Sequence, residues 1–101
     1  MVGVDNFIVG ANIAAEKFRW KIMINAYILI SMRPGYSDRA IGHMRKIENI
    51  AKISVVAGEY DIVVRVQVEA LENLLGVTDK IQLIEGVNKT TTQVIEKELA
   101  L

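Results

Sequence analysis

Three residues that can contact a small molecule lie together in the middle of the sequence: Gly58, Tyr60 and Asp61. β-branched runs precede and follow them, which predicts a hairpin whose connection carries this group. The glycine can take the positive φ that such a turn often requires. Tyr60 and Asp61 then place a phenol and a carboxylate side by side at the start of the second strand. We expect this hairpin to organise the fold and to border a small-molecule site.

Other chemistry has little support in the sequence. There is no cysteine, which excludes disulfides, thiolate metal sites and a cysteine nucleophile. His43 is the only histidine, so a histidine-rich metal site is excluded, and we expect no metal or cofactor. His43 lies near the border of the apolar face of a predicted helix, where a packed or solvated histidine is the expected role.

The charge balance also limits the partners. Twelve basic and twelve acidic side chains give a net charge of zero. A domain that binds DNA by itself normally has more basic than acidic residues, so direct nucleic-acid binding is disfavoured. Lys21, Asn25 and Arg33 interrupt the best candidate for a membrane span, and the first residues do not resemble a signal peptide. We therefore expect a soluble cytoplasmic protein without a membrane partner.

The first half of the predicted domain is a strand and a helix. The run 22–32 is almost continuously apolar, which predicts a central strand buried on both faces. Ser37 is a good N-cap, with Asp38 in the first turn of a helix that ends near 48–49. The predicted apolar face of this helix consists of Ala40, Ile41, Met44 and Ile47.

The second half repeats this order after the hairpin. A second helix is predicted over about 70–83 and a last strand over 88–95. In the second hairpin strand, alternation places on the core face Ile62, Val64, Val66 and Val68. The predicted apolar stripe of the second helix consists of Leu71, Leu74, Leu75, Thr78 and Ile81.

This order predicts an α+β, ferredoxin-like βαββαβ domain over 22–101, with one antiparallel sheet and both helices on one face. Residues 1–21 are predicted to form an N-terminal connecting strand, with helix as the alternative over 11–19, and a linker. Hydrophobic residues make up 51% of the chain, and the uncovered sheet face carries apolar side chains. A dimer that stacks two such sheets, a dimeric α/β-barrel-like assembly, would cover that face.

Several segments together resemble one known family. They are 26–30, Pro34-Gly35, the Gly-x-Tyr-Asp turn at 58–61, and 84–87 followed by Thr90 and Thr92. They are similar to the effector domain, or RAM domain, of the Lrp/AsnC (feast/famine) regulators. The combination of the Gly-x-Tyr-Asp turn with a Gly-Val-x-x-Thr-x-Thr strand carries the resemblance.

The N-terminal part resembles the same family less closely. The segment 7–10, with Glu16 and Trp20, is similar to the strand that joins the helix-turn-helix to the effector domain. The family's usual Asp-Pro and Leu-Gly are replaced by Glu16-Lys17 and Trp20-Lys21. No residues are left for a helix-turn-helix before Asp5, so the chain resembles a stand-alone effector domain.

The resemblance implies a homodimer that assembles into a higher oligomer, with an amino-acid effector held at an interface. The ligand-binding residues that it implies are Gly58, Tyr60, Asp61, Thr90 and Thr92. Asp61 would accept from the ammonium group, while turn N–H groups and threonine hydroxyls would hold the carboxylate. Alternatively, Asp61 caps the hairpin, Tyr60 packs at an interface, and the threonines are ordinary strand residues.

The residues and the resemblance leave three alternative functions. The leading one is a regulatory, amino-acid-binding oligomerisation module without its own DNA-binding domain, acting through mixed oligomers with full-length relatives. The second is a small dimeric α/β-barrel enzyme of monooxygenase type, although no acid–base pair is evident. The third is a purely structural oligomerisation domain.

Overall fold

The computed structural model describes residues 23–101, and the predicted connecting strand and linker lie outside them. The elements follow the predicted order: β1 (Ile24–Met32), α1 (Ser37–Met44), β2 (Ile50–Val55), β3 (Ile62–Val68), α2 (Leu71–Gln82) and β4 (Val87–Val94). The strands form one sheet in the order β2-β3-β1-β4, and every neighbouring pair is antiparallel. The ferredoxin-like prediction is therefore confirmed, and β1 is central as expected.

One face of the sheet forms the core. Alternate residues of β1 and β3 are buried there beneath both helices: Ala26, Ile28, Ile30, Met32, Ile62, Val64, Val66 and Val68. Full burial of one such side chain contributes about 1.5–3 kcal/mol, so this layer is the main source of stability. The prediction that β1 is buried on both faces is wrong for the protomer: Tyr27 is 36% exposed. Both helices pack on the same side, which leaves the other face of the sheet, here called the open face, uncovered.

The limits of α1 differ from the prediction at both ends. The N-cap is Tyr36 and makes no side-chain capping bond, so Ser37 is the first helical residue and not the cap. The helix ends at Met44, because i to i+3 bonds such as Lys46 N–H to His43 C=O tighten the chain beyond it. Asn49 then takes φ +77°, a conformation that asparagine tolerates, and the chain turns into β2.

The buried stripe of α2 also differs from the prediction. Its buried residues are Leu74, Val77 and Ile81, whereas Leu71 and Leu75 are more than half exposed. The spacing i, i+3, i+7 places the buried residues on a narrow face against the sheet. The helix has more apolar positions than one such face can bury, and packing against the sheet selects which of them are covered.

Gly86 allows two loops to meet at one end of the sheet. It has φ +93°, is buried, and accepts a 2.7 Å hydrogen bond from the Arg33 N–H through its carbonyl. A Cβ at this position would lie 2.6 Å from Cγ of Tyr36. The Arg33 guanidinium in turn lies 4.5 Å from the centroid of the Tyr36 ring and donates to its hydroxyl at 3.0 Å. The absence of a side chain at Gly86 therefore permits the close contact between the 33–36 and 83–86 loops.

The C-terminal segment crosses the open face. After β4, the Ile95 N–H still bonds the Asn25 carbonyl at 2.8 Å, and Glu98 then forms an ion pair with Arg65 of β3. The Arg65 guanidinium donates to both Glu98 carboxylate oxygens, at 2.7 and 2.8 Å. Through these hydrogen bonds, and then through its charge, Arg65 lowers the pKa of the Glu98 carboxyl. Within residues 23–101, no helix has the length and apolarity needed to cross a membrane.

We expect Gly86→Ala to destabilise the domain by about 2 kcal/mol or more, because alanine disfavours positive φ and its methyl group overlaps Tyr36. Gly76→Ala is the matched control. Gly76 lies inside α2 with open space around its Cα, so alanine there should stabilise the protein by about 0.5–1 kcal/mol. Urea unfolding of both variants measures the difference. Equal stability of the two variants would contradict the role given to Gly86.

We expect the Glu98 carboxyl to titrate at a lower pH in the native protein than in Arg65→Gln. A depressed native pKa means that the pair contributes stability above the unfolded pKa of about 4.3 and loses it as pH falls through the native value. A ¹³C NMR titration of the glutamate side-chain carboxyls measures both midpoints. A Glu98 midpoint that is unchanged in Arg65→Gln would show that the pair does not form in solution.

Candidate functional site

Three connections meet at one end of the sheet, where β1 and β2 end and β3 and β4 begin. They are the 33–36, 56–61 and 83–86 loops. The 56–61 loop carries Gly58, Tyr60 and Asp61, and the Val56 N–H closes its base by donating to the Asp61 carbonyl at 3.0 Å. The predicted hairpin is therefore present, with a six-residue connection.

The Asp61 side chain completes the pairing of β3 with β1. The backbone N–H of Asp61 donates to the Ile30 carbonyl at 2.9 Å, and Oδ2 of its carboxylate accepts the Met32 N–H at 2.7 Å. A side-chain oxygen thus takes the position that a backbone carbonyl would occupy in a continuing strand. Asp61 is partly buried, and among the described residues its Oδ1 has no hydrogen-bond donor. One carboxylate oxygen is therefore structural, and within residues 23–101 the second has no partner.

Tyr60 links the same loop to β4. Its hydroxyl lies 3.3 Å from Oγ1 of Thr91, and either group can donate. Thr91 pairs with Leu29, which places it on the open face. The Tyr60–Thr91 contact was not predicted. The alternation of side chains along β4 could have indicated it, since Thr91 lies between Thr90 and Thr92 and must face the opposite side of the sheet.

Thr90 and Thr92 lie on the helix side of the sheet, opposite Ile30 and Ile28. The Thr90 hydroxyl accepts a 2.9 Å bond from Nε2 of Gln82, and the Thr92 hydroxyl lies 3.4 Å from that of Thr78. Within one protomer, the structure brings Gly58, Tyr60 and Asp61 together in one loop. It directs the two threonines toward α2 instead.

Gly58 gives the loop an exposed backbone. Its φ is +137°, a conformation that favours glycine, and no atom lies within 4 Å of an added Cβ. The N–H groups of residues 57–60 have no acceptor among the described residues. Successive N–H groups in a turn can bind a carboxylate where they point to one place. These N–H groups belong to the same loop as Asp61.

The described part of the chain offers no comparable site for a metal. No group of three or more potential ligands among His, Cys, Asp and Glu occurs within residues 23–101. His43 lies exposed on α1, which is at the border position expected from the sequence.

Comparison with known proteins gives the same family that the sequence resembles. The model of the Lrp/AsnC ligand binding domain matches residues 25–100. The HTH-type transcriptional regulator FL11 of Pyrococcus furiosus is 31% identical over 74 residues, which are 73% of this chain and 49% of the regulator. The chain thus spans about half the length of the curated relatives that it matches.

Solved structures of similar fold agree with this family assignment. TTHA0845 from Thermus thermophilus is 28% identical with a TM-score of 0.72, and the match covers 77% of this chain and 99% of that one. Escherichia coli AsnC, at 17% identity and a TM-score of 0.73, shares the fold over 85% of this chain and 58% of its own. The family is one of transcriptional regulators and not of enzymes, so the monooxygenase-type alternative is not supported. This chain belongs to the Lrp/AsnC ligand binding domain family.

Proposed function

We propose that this domain is a cytoplasmic regulatory module that binds a free amino acid at the 56–61 loop and self-associates through its open face. The observation that carries the proposal is the divided role of Asp61. Oδ2 holds the Met32 N–H, which fixes the carboxylate in place, while Oδ1 has no donor among the described residues. A fixed, partly buried carboxylate with one free oxygen suits the ammonium group of an amino acid.

The carboxylate of the effector has donors nearby. The exposed N–H groups of residues 57–60 supply a neutral anion-binding surface in the same loop as Asp61. The two ends of a zwitterion would therefore contact one short segment. Side-chain selectivity would come from the surrounding loops, where Tyr60 and the 33–36 segment border this end of the sheet.

In this proposal, Thr90 and Thr92 contact only an effector that is bound by the 56–61 loop of a second copy. Within a protomer their hydroxyls bond to α2 and lie on the side of the sheet away from the Tyr60–Thr91 contact. A site that uses both Asp61 and these threonines is therefore shared between protomers. Because these threonines lie on the helix side, the contact that completes such a site would be separate from the open face, and the ligand would stabilise it.

The open face is the proposed contact between two copies. Leu29 and Val63 pair directly across β1 and β3, with Tyr27 two residues along the strand. Polar side chains surround this apolar centre, which is the arrangement of an association surface. The relatives include HTH-type transcriptional regulators, so the same face would also accept a full-length relative in mixed assemblies.

We expect Asp61→Asn to abolish effector binding while keeping the fold. The amide oxygen can still accept the Met32 N–H, but the charge that attracts an ammonium group is lost. A thermal-shift screen with the twenty amino acids at millimolar concentration measures this. A ligand at ten times its Kd adds about 1.4 kcal/mol, which should raise the wild-type melting temperature by about 5 °C or more.

Glu59→Gln is the matched control, since Glu59 is an exposed acid in the same loop and should keep the full shift. An Asp61→Asn protein that still responds to the amino acid would overturn the ammonium role. If no amino acid shifts the wild-type protein while its oligomer is intact, the purely structural oligomerisation function is the correct one.

We expect Leu29→Glu to convert the assembly to monomers, because it places a charge at the apolar centre of the open face. Leu83→Glu is the control: Leu83 is 85% exposed and follows α2, away from that face. Multi-angle light scattering gives the mass of each variant. An unchanged mass for Leu29→Glu would show that the copies meet through another surface.

A further inference from the structure

The Arg65–Glu98 ion pair lies on the face that we assign to self-association. Arg65 projects from the middle of β3, and its side chain is 21% exposed. Its guanidinium makes two parallel hydrogen bonds to the Glu98 carboxylate and lies 5.8 Å from the centroid of the Tyr27 ring. Nη1 also donates to the Tyr27 hydroxyl at 3.4 Å. The charge of Arg65 is thus held in one position on the sheet.

The path of the chain shows that Glu98 reaches Arg65 across β1. The last bond of β4 to β1 is made by Ile95, and β3 lies two strand spacings from β4, each about 4.8 Å. Three extended residues span about 10 Å, so residues 96–98 can just cover that distance. The segment must therefore lie over the open face at the Tyr27 end. Leu29 and Val63 lie farther along the strands.

Without Glu98, this half of the face would carry two adjacent cations. Lys52 of β2 lies directly opposite Arg65 of β3 in the sheet register. Both border a depression of about 240 Å³ that is also lined by Tyr27, Ser54 and Val63. Like charges directly opposite each other in a sheet are destabilising. In a two-fold contact, the same cations of both copies would enter one interface.

We propose that Glu98 is the counter-ion that allows the open face to pair with a second copy of this chain. This inference rests on the proposed self-association. A charge buried without its partner costs far more than a buried, hydrogen-bonded pair. Loss of the Glu98 charge should therefore weaken association more than loss of the Arg65 charge, because an unpaired Glu98 sits on an exposed segment and can turn toward water.

Sedimentation equilibrium of the full chain tests the proposal with four variants. Glu98→Gln should raise the dimer Kd at least tenfold, whereas Arg65→Gln should raise it less. The double variant Arg65→Gln/Glu98→Gln should return toward the wild-type Kd, since the Arg65 charge that Glu98 neutralises is also removed. Glu96→Gln is the matched control and should leave the Kd unchanged, because Glu96 makes no ion pair among the described residues. Circular dichroism melts show that each variant is folded.

The outcomes separate this inference from the proposed function. A wild-type protein that is monomeric at every concentration refutes self-association, and the counter-ion role with it. A wild-type dimer whose Kd is the same in Glu98→Gln and Glu96→Gln refutes the counter-ion role alone. A double variant as weak as Glu98→Gln also refutes it, since the loss would then come from the hydrogen-bond geometry and not from the charge.

Discussion

The hydrogen bond from the Met32 N–H to the Asp61 carboxylate is the interaction on which this end of the domain depends. It lies where the central β1–β3 pairing stops, and a side chain replaces the backbone acceptor there. Because the carboxylate is held by β1, the C-terminal end of the 56–61 loop is fixed in place. The same bond leaves Oδ1 of Asp61 without a donor among the described residues. The proposed ligand-binding role of Asp61 is therefore compatible with its structural role, since each uses a different oxygen.

One-sided burial is the second constraint. Both helices pack on the same face of the sheet, so one face of each strand contributes to the core and the other is uncovered. In a domain with so few layers, the open face cannot be covered by the described part of the chain except where residues 95–98 cross it. In the Arg65–Glu98 pair, the C-terminal segment neutralises the Arg65 charge on this face, and no further helix or strand is needed. This is why we connect the C-terminal segment with association.

The two halves of the fold are joined at the candidate site by a contact that needs a glycine. Tyr36 packs against Gly86, and the Gly86 carbonyl bonds the Arg33 N–H. The β1–α1 and α2–β4 connections are thus fixed to each other beside the 56–61 loop. All three loops at the proposed effector site are held to the sheet or to one another by hydrogen bonds or packing contacts. A site built in this way requires little reorganisation on binding.

The sequence by itself determined the order of the elements, the central position of β1 and the core face of β3. Apolar runs, period-two alternation and glycine turns are local signals, and in this chain they agree with one another. The Gly-x-Tyr-Asp turn and the Thr-x-Thr strand also indicated the family. The sequence further identified Asp61 as a residue with either a structural or a binding role.

Only the tertiary structure decided which side chains are buried and which of them meet, because the local sequence permits several arrangements of each. The apolar residues of α2 permit several buried stripes, and only contact with the sheet selects Leu74, Val77 and Ile81. Alternation separates Thr91 from Thr90 and Thr92, but only the pairing of β4 with β1 shows which of them meets Tyr60. The ion pair between residues 65 and 98 depends on the path of the chain across the sheet, which no local pattern encodes. Local sequence thus specified the elements around the Gly58–Asp61 turn, and long-range packing specified which side chains meet there.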